Sequence, residues 1–373
     1  MANQGWYALH NPDQTDSPAL LVYPDRIRHN IGEMIRIAGS AGHLVPHVKT
    51  HKMSEVIKMQ LEAGITRFKC ATIAEAEMLA TSNVKSILIA YQLNEPKAMR
   101  FIQLIEQFPH IHFASLIDNT ESAQLLNDLF AKNNLTATVY IDIDNGMHRT
   151  GFAADKEISG FYKQLAGMPH LRCAGLHVYD GHIRDKDFDQ RKIHCQNDFR
   201  PVREAVKRII SSGFPKPEII AGGSPTFTVH ALDPEILCSP GTNVLWDRGY
   251  SDLLTEQHFL HAAVLLTRII SKPLEGRITT DLGHKSVAAE NPIGKRVFFL
   301  NLNDYEVISE SEEHLVVQTG REEWNKLKIG DVLYGIPYHI CPTVALYDEV
   351  QVVKDGDVIT QWNVEARKKK ISI

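Results

Sequence analysis

Hydrophobic and polar positions change their rhythm near residue 250. Up to that point short apolar runs of strand length alternate with amphipathic stretches of helix length. Strands are expected at 44–50, 67–72, 86–91, 111–118, 136–144, 171–179, 218–223 and 236–240. Between them, segments such as 53–63, 95–107, 120–132 and 190–212 carry apolar residues at helical spacing. Helices set between apolar strands imply βαβ units and a parallel sheet. Eight such strands are what a (β/α)8 TIM barrel needs, and residues 24–250 are enough chain to build one. An open doubly wound sheet would want a Gly-x-Gly-x-x-Gly turn after the first strand, and the sequence has none there.

Beyond about residue 255 the runs become short and rich in β-branched residues, as in 261–270, 296–300, 314–318 and 331–336. Residues 352–359 read as a hairpin with Asp355-Gly356 at its turn. A second, mostly β domain is therefore expected over 255–373, with residues 1–20 joining it.

Composition narrows the classes. The 373 residues are 43% hydrophobic and 23% charged, so they can bury a large core. A net charge of -5 argues against a general nucleic-acid binder. No run of about 18 apolar residues is present, so no membrane span is expected. The first residues, Met1 to Trp6, lack the basic-then-apolar order of a secretory leader. Five scattered cysteines with no Cys-x-x-Cys suit free thiols in a cytoplasmic protein.

A barrel builds its site at the C-terminal ends of its strands, and unusual residues gather there. The first expected strand ends in Pro46-His47-Val48-Lys49-Thr50-His51-Lys52. Alternation would put His47, Lys49 and His51 on one face. An amine at a strand end can condense with a carbonyl, or it can simply be a rim lysine. The seventh strand is followed by Gly222-Gly223-Ser224 and the eighth by Pro240-Gly241-Thr242. Glycines admit close approach to backbone N–H groups, so both turns suit a phosphate as well as an ordinary tight turn. In the β domain, His339-Ile340-Cys341 would put two metal-competent side chains on one face of an extended segment. A buried thiol beside a hydrogen-bonded imidazole is the plainer alternative.

Seven motifs in order give the chain a family resemblance. They are 46–52; Cys70-Ala71-Thr72-Ile73-Ala74-Glu75-Ala76-Glu77; Asp144-Asn145-Gly146-Met147-His148-Arg149-Thr150-Gly151; Tyr179-Asp180-Gly181-His182; 222–226; 239–242; and 339–343. Together they resemble the D-threonine aldolase and D-serine dehydratase family, whose barrel is alanine racemase-like. The resemblance implies pyridoxal phosphate (PLP) carried on Lys49, with Arg149 near its phenolic oxygen and Tyr179 by its ring. It implies a phosphate held by Gly222, Gly223, Ser224, Gly241 and Thr242. His339 and Cys341 match the family's two protein ligands for a divalent metal. The implied protein is a homodimer with shared sites, acting on a small β-hydroxy-D-amino acid. Neither nucleic acid nor membrane is an expected partner.

Two chemistries share this equipment. Loss of Cα–H and the β-hydroxyl dehydrates the substrate to a 2-oxo acid and ammonia. Loss of the hydroxyl proton with Cα–Cβ cleavage gives glycine and an aldehyde. His-x-Cys resembles the dehydratase branch, whereas typical aldolases resemble His-x-Asp. A thiolate ligand favours zinc, with manganese the alternative. Typical aldolases also resemble one another in a histidine a few residues past the Tyr-x-Gly turn, and here His182 is displaced from that place. The expectation is therefore a dehydratase, with D-threonine aldolase as the alternative. Racemase-type and non-catalytic PLP-binding readings fit less well, because the racemase motifs are replaced and a β domain with His-x-Cys is present.

Overall fold

The computed structural model describes residues 5–153 and 158–373; Met1 to Gln4, part of the leader reading, lie outside them. Contacts divide the chain into two compact units. One comprises the described parts of Met1–Ile31, Thr50–Glu55 and Thr242–Arg367; the other comprises those of Gly32–Lys49, Val56–Gly241 and Lys368–Ile373. No helix among the described residues is long and apolar enough to cross a membrane.

The larger unit is a parallel α/β barrel. Strands Arg67–Cys70, Ser86–Gln92, His112–Ile117, Ala137–Asp144, Leu171–Val178, Glu218–Ala221 and Ile236–Cys238 pair in parallel in that order. A two-residue strand, Phe152–Ala153, adds to the end of Ala137–Asp144. The first stave is not the strand expected at 44–50. Residues 44–47 only bridge the ring, Leu44 to Cys238 and His47 to Lys69, and Val48–Thr50 wind into a 3-10 turn. Pro46 has no N–H for the ladder, and its carbonyl instead accepts from the Lys69 amide at 2.9 Å. His47 Nδ1 then accepts the Lys49 amide at 3.2 Å, which draws the chain out of extension.

Side-chain caps start the helices between the strands. Asn94 caps Glu95–Gln107, Asn119 caps Thr120–Lys132 and Asp187 caps Phe188–Ser211, each accepting an amide three residues on. Inside the ring, Val45, Leu88, Ala114, Leu116, Tyr140 and Ile220 form an apolar floor.

The other unit is mostly β, as the change of rhythm predicts. Its sheet runs in the order Tyr305–Glu310, Leu315–Thr319, Arg277–Thr280, Ala263–Ser271, Ala19–Val22, Glu349–Lys354, Asp357–Asn363, with Val297–Phe299 and Val332–Pro337 branching from Ala263–Ser271. Asp355-Gly356 forms the hairpin turn, both residues with φ positive at 51° and 82°. Leu21, Tyr23, Val264, Leu266, Tyr334 and Ile336 pack in one of its cores.

Candidate active site

A cavity of ≈ 650 Å³ opens at the C-terminal ends of the barrel strands. Lys49, Arg149 and Tyr179, picked out from sequence, all line it. The Tyr179 ring is the common platform. Lys49 Nζ lies 5.9 Å from its centroid and the Arg149 guanidinium carbon 4.8 Å. The ring fits there because its neighbours lack side chains. A Cβ at Gly223 would come within 2.9 Å of it, and one at Gly181 within 2.5 Å.

Arg149 rides on a loop bolted at both ends. Asp144 Oδ1 accepts the amides of Gly146 at 3.0 Å and His148 at 2.9 Å. Burial would raise the Asp144 carboxyl, but these bonds and the His148 ring outweigh it and hold it below its ordinary value. At the far end Thr150 Oγ1 donates to Asp142 at 2.9 Å and the Gly151 amide to Asp118 at 3.0 Å. Gly151, at φ +115°, cannot be replaced without a Cβ striking the Asp144 amide at 2.4 Å. The Asn-Gly-Met-His-Arg-Thr-Gly run is thus read from its backbone as much as from its arginine.

Gly222, Gly223 and Ser224 follow strand Glu218–Ala221, and Gly241 follows the neighbouring strand Ile236–Cys238. The two turns meet where the Gly241 amide donates to Ser224 Oγ at 3.4 Å. Behind them is a buried hub. Asp180 accepts from Thr226 Oγ1 at 2.5 Å and meets His230 Nε2 at 2.6 Å, while the Gly223 amide donates to Thr226. Burial alone would raise Asp180, yet His230 and Thr226 keep it below its usual value. Gly222 holds φ +81°, and a Cβ there would sit 2.7 Å from His230 Cδ2. Gly222→Ala is therefore expected to cost about 1–3 kcal/mol from the left-handed backbone alone. A urea-melt midpoint unchanged from wild type would contradict this role for the glycine.

Thr242 groups with the β unit, where its hydroxyl lies 3.4 Å from Cys341 Sγ; Thr50 Oγ1 lies 3.1 Å from the same sulfur. His339 and Cys341 are not on one face of an extended segment. The strand ends at Pro337, His339 is a helix N-cap, and Cys341 sits in the first turn of Ile340–Val344. Pro342 suits that first turn, where no intrahelical N–H is needed. The pair nevertheless stays in contact. Burial would lower the His339 imidazole, but Cys341, Asp247 and Glu290 hold it up to about 9. Glu290 Oε1 meets His339 Nδ1 at 2.5 Å, the carboxylate–imidazole arrangement that orients a ligand histidine once an ion displaces its other ring proton.

Among the described residues, two groups of three donors converge elsewhere: Asp180, Cys195 and His230, and His182, His194 and Asp198. His339 and Cys341 belong to neither. Two protein ligands leave positions for water or substrate. His51, expected beside Lys49, is instead buried, with Nδ1 accepting the Met53 amide at 3.1 Å. His182 turns to Asp198 at 2.9 Å and is not among the cavity's lining residues.

The structure adds residues that the sequence reading passed over. Lys69 is 2% exposed yet lines the cavity. Its Nζ lies 3.3 Å from His177 Nε2, and His177 Nδ1 lies 2.7 Å from Asp142. Gln92 donates to both Asp142 and Asp118 at 2.9 Å. The available signal was charged residues at buried inward positions of the strands, Lys69 in Arg-Phe-Lys-Cys and Asp142 in Ile-Asp-Ile.

With this geometry in hand, kinship gives the class. Residues 22–244 match the alanine racemase N-terminal domain family, and residues 262–353 match the serine dehydratase domain. The chain belongs to the alanine racemase N-terminal domain family, in its D-threonine aldolase and D-serine dehydratase-like branch of PLP-dependent lyases. It is 26% identical to 3-hydroxy-D-aspartate aldolase of Paracoccus denitrificans (strain Pd 1222), covering 97% of this chain and 95% of that protein. It is 23% identical to D-serine dehydratase of Dictyostelium discoideum, covering 92% and 95%. The fold is shared with D-threonine aldolase from Filomicrobium marinum at a TM-score of 0.86 and 22% identity, over 95% and 96% of the two chains.

The residues present fit PLP. Two cations flank an aromatic platform, Gly222 and Gly223 bring the turn's backbone close to it where a Cβ would clash, and the cavity is large enough for a small cofactor. The thiol and imidazole of Cys341 and His339, with carboxylates behind them, fit a divalent cation.

Proposed function

We propose that the chain is a PLP- and divalent-metal-dependent dehydratase of β-hydroxy-D-amino acids, releasing a 2-oxo acid and ammonia. The observation that carries the choice is His182. The only histidine of the Tyr-Asp-Gly-His turn is engaged by Asp198 and stands outside the cavity lining, so it does not serve as the hydroxyl base of an aldol cleavage. A thiol in the metal pair supports the same choice and favours zinc over manganese.

Lys49 carries the cofactor in this reading, and Ser224 with the amides of the two glycine turns holds its phosphate. Thr242 completes that set. When bound, PLP supplies an electron sink for bond breaking at Cα. The Lys49 amine takes the Cα proton. Arg149 faces the phenolic oxygen and Tyr179 supports the ring. His339 and Cys341 hold a Lewis acid for the β-hydroxyl, which is a poor leaving group without one. A homodimer is part of the reading, because the family resemblance implies it.

The aldolase alternative draws on the similarity to 3-hydroxy-D-aspartate aldolase. Product analysis with D-threonine, PLP and zinc or manganese separates the two. The expected products are 2-oxobutyrate and ammonia. Glycine and acetaldehyde would make the protein an aldolase and set the His182 and thiol arguments aside.

A further inference from the structure

Two lysines line the cavity, and they stand alike toward it. Lys49 Nζ is 5.9 Å and Lys69 Nζ 5.8 Å from the centroid of the same Tyr179 ring. Lys69 comes from strand Arg67–Cys70 and is almost wholly buried. A lysine at that depth is ordinarily paired with a carboxylate or excluded. Here its Nζ meets an imidazole. Asp142 fixes the tautomer: it accepts the Nδ1 proton of His177, so Nε2 presents its lone pair to Lys69. Asp142 is itself held by Thr150 and Gln92. The chain Lys69–His177–Asp142 crosses three strands, and its amine end opens on the space where the cofactor and substrate fit.

We propose that Lys69 is a second acid–base residue of the cavity, aimed by His177 and Asp142 as positioning residues, serving the substrate's β-hydroxyl while Lys49 serves Cα. The assignment to the hydroxyl rests on the lyase reading; the acid–base character of the amine does not. In dehydration the Lys69 ammonium gives one proton to the hydroxyl as the Cβ–O bond breaks. The bonding pair leaves with oxygen, water departs, and the amine is left neutral until it regains a proton from solvent.

The surroundings tune the amine for this exchange. Burial, then the positive charge of Lys49, pulls the Lys69 ammonium down; Asp142 and Asp180 pull it up, and Arg149 pulls it down again, leaving it at about 7. His47 and His177 also line the cavity. Burial and then Lys69 keep His177 below its ordinary value, against the pull of Asp142, consistent with a neutral acceptor. A group poised near neutrality gives and takes protons with equal ease.

Competitive labelling of the cofactor-free full chain with acetic anhydride, read peptide by peptide by mass spectrometry, tests the amine without turnover. The Lys69 midpoint is expected near 7, against about 10.4 for exposed lysines. In the loaded enzyme, Lys69→Met and Lys69→Arg are both expected to lose about 10²-fold or more in kcat, with the PLP absorbance retained. The arginine variant keeps the charge but does not release a proton at these pH values. A labelling midpoint among the surface lysines, or full turnover by Lys69→Arg, overturns the proposal. A midpoint near 7 in a wild-type protein that turns over no β-hydroxy-D-amino acid leaves the acid–base amine standing, and overturns the lyase reading with the hydroxyl assignment.

Discussion

Replacing Lys49 with alanine is expected to abolish the visible absorbance of bound PLP and to lower turnover by about 10⁴-fold, the upper range for one acid–base group. The substitution removes both the attachment point and the amine beside Cα. Stability should change little. Lys49 is only partly buried, and it lies in a short 3-10 turn that alanine accepts. Far-UV circular dichroism and a urea melt check the fold, and absorbance with single-turnover kinetics checks the chemistry. Turnover that survives with an unchanged spectrum would remove Lys49 from its role. Lys69 makes the comparison sharper. It lies on the same cavity, but its variants are expected to keep the absorbance that Lys49→Ala loses.

Removing the metal pair is expected to act on the leaving hydroxyl far more than on cofactor binding. Cys341→Ala, or wild type in chelator, should lose about 10³-fold in turnover. That loss corresponds to about 4 kcal/mol, within the several kcal/mol that a Lewis acid supplies. PLP affinity by titration should fall far less than turnover, because Thr242 alone of the residues proposed for phosphate and ring touches the thiol. Cys341→Asp exchanges a soft ligand for a hard one and should shift the preferred ion from zinc toward manganese. Full activity of Cys341→Ala in the presence of chelator would end the metal assignment.

Much of the architecture was legible because burial imposes a period. Helices 95–107 and 120–132 fall at their expected bounds, and the change to β texture after residue 255 marks the elements that build the second sheet. What failed did so where hydrogen bonds outrank periodicity. The run 44–50 is apolar enough for a strand, but Pro46 and the His47 ring divert it. His339-Ile340-Cys341 looks extended until Pro342 and the Thr343 hydroxyl, which donates to the His339 carbonyl at 2.8 Å, turn it into a helix start. Both errors concern local direction, which alternation alone does not encode.

By itself the sequence determined the α/β barrel class, the mostly β second part, and the candidates Lys49, Arg149, Tyr179, Gly222, Gly223, Ser224, Gly241, Thr242, His339 and Cys341. Those features follow from periodicity, from glycine at turns and from residue types that chemistry uses sparingly, except Arg149 and Tyr179, which the family resemblance alone implies. Only the tertiary structure decided which polar residues face one another. Lys69, His177 and Asp142 are 35 to 108 positions apart in pairs and come from three strands. Lys69 and Asp142 stand out as polar residues at inward positions, but nothing in the sequence pairs them with His177 until the ring brings the three within hydrogen-bonding reach. His182 already stands displaced from the aldolase base position in the sequence, but only the fold shows helix Phe188–Ser211 presenting Asp198 to it. The physical reason is common to both cases: a side chain's protonation and direction are set by its partners across the fold, and strand order, not sequence distance, chooses those partners.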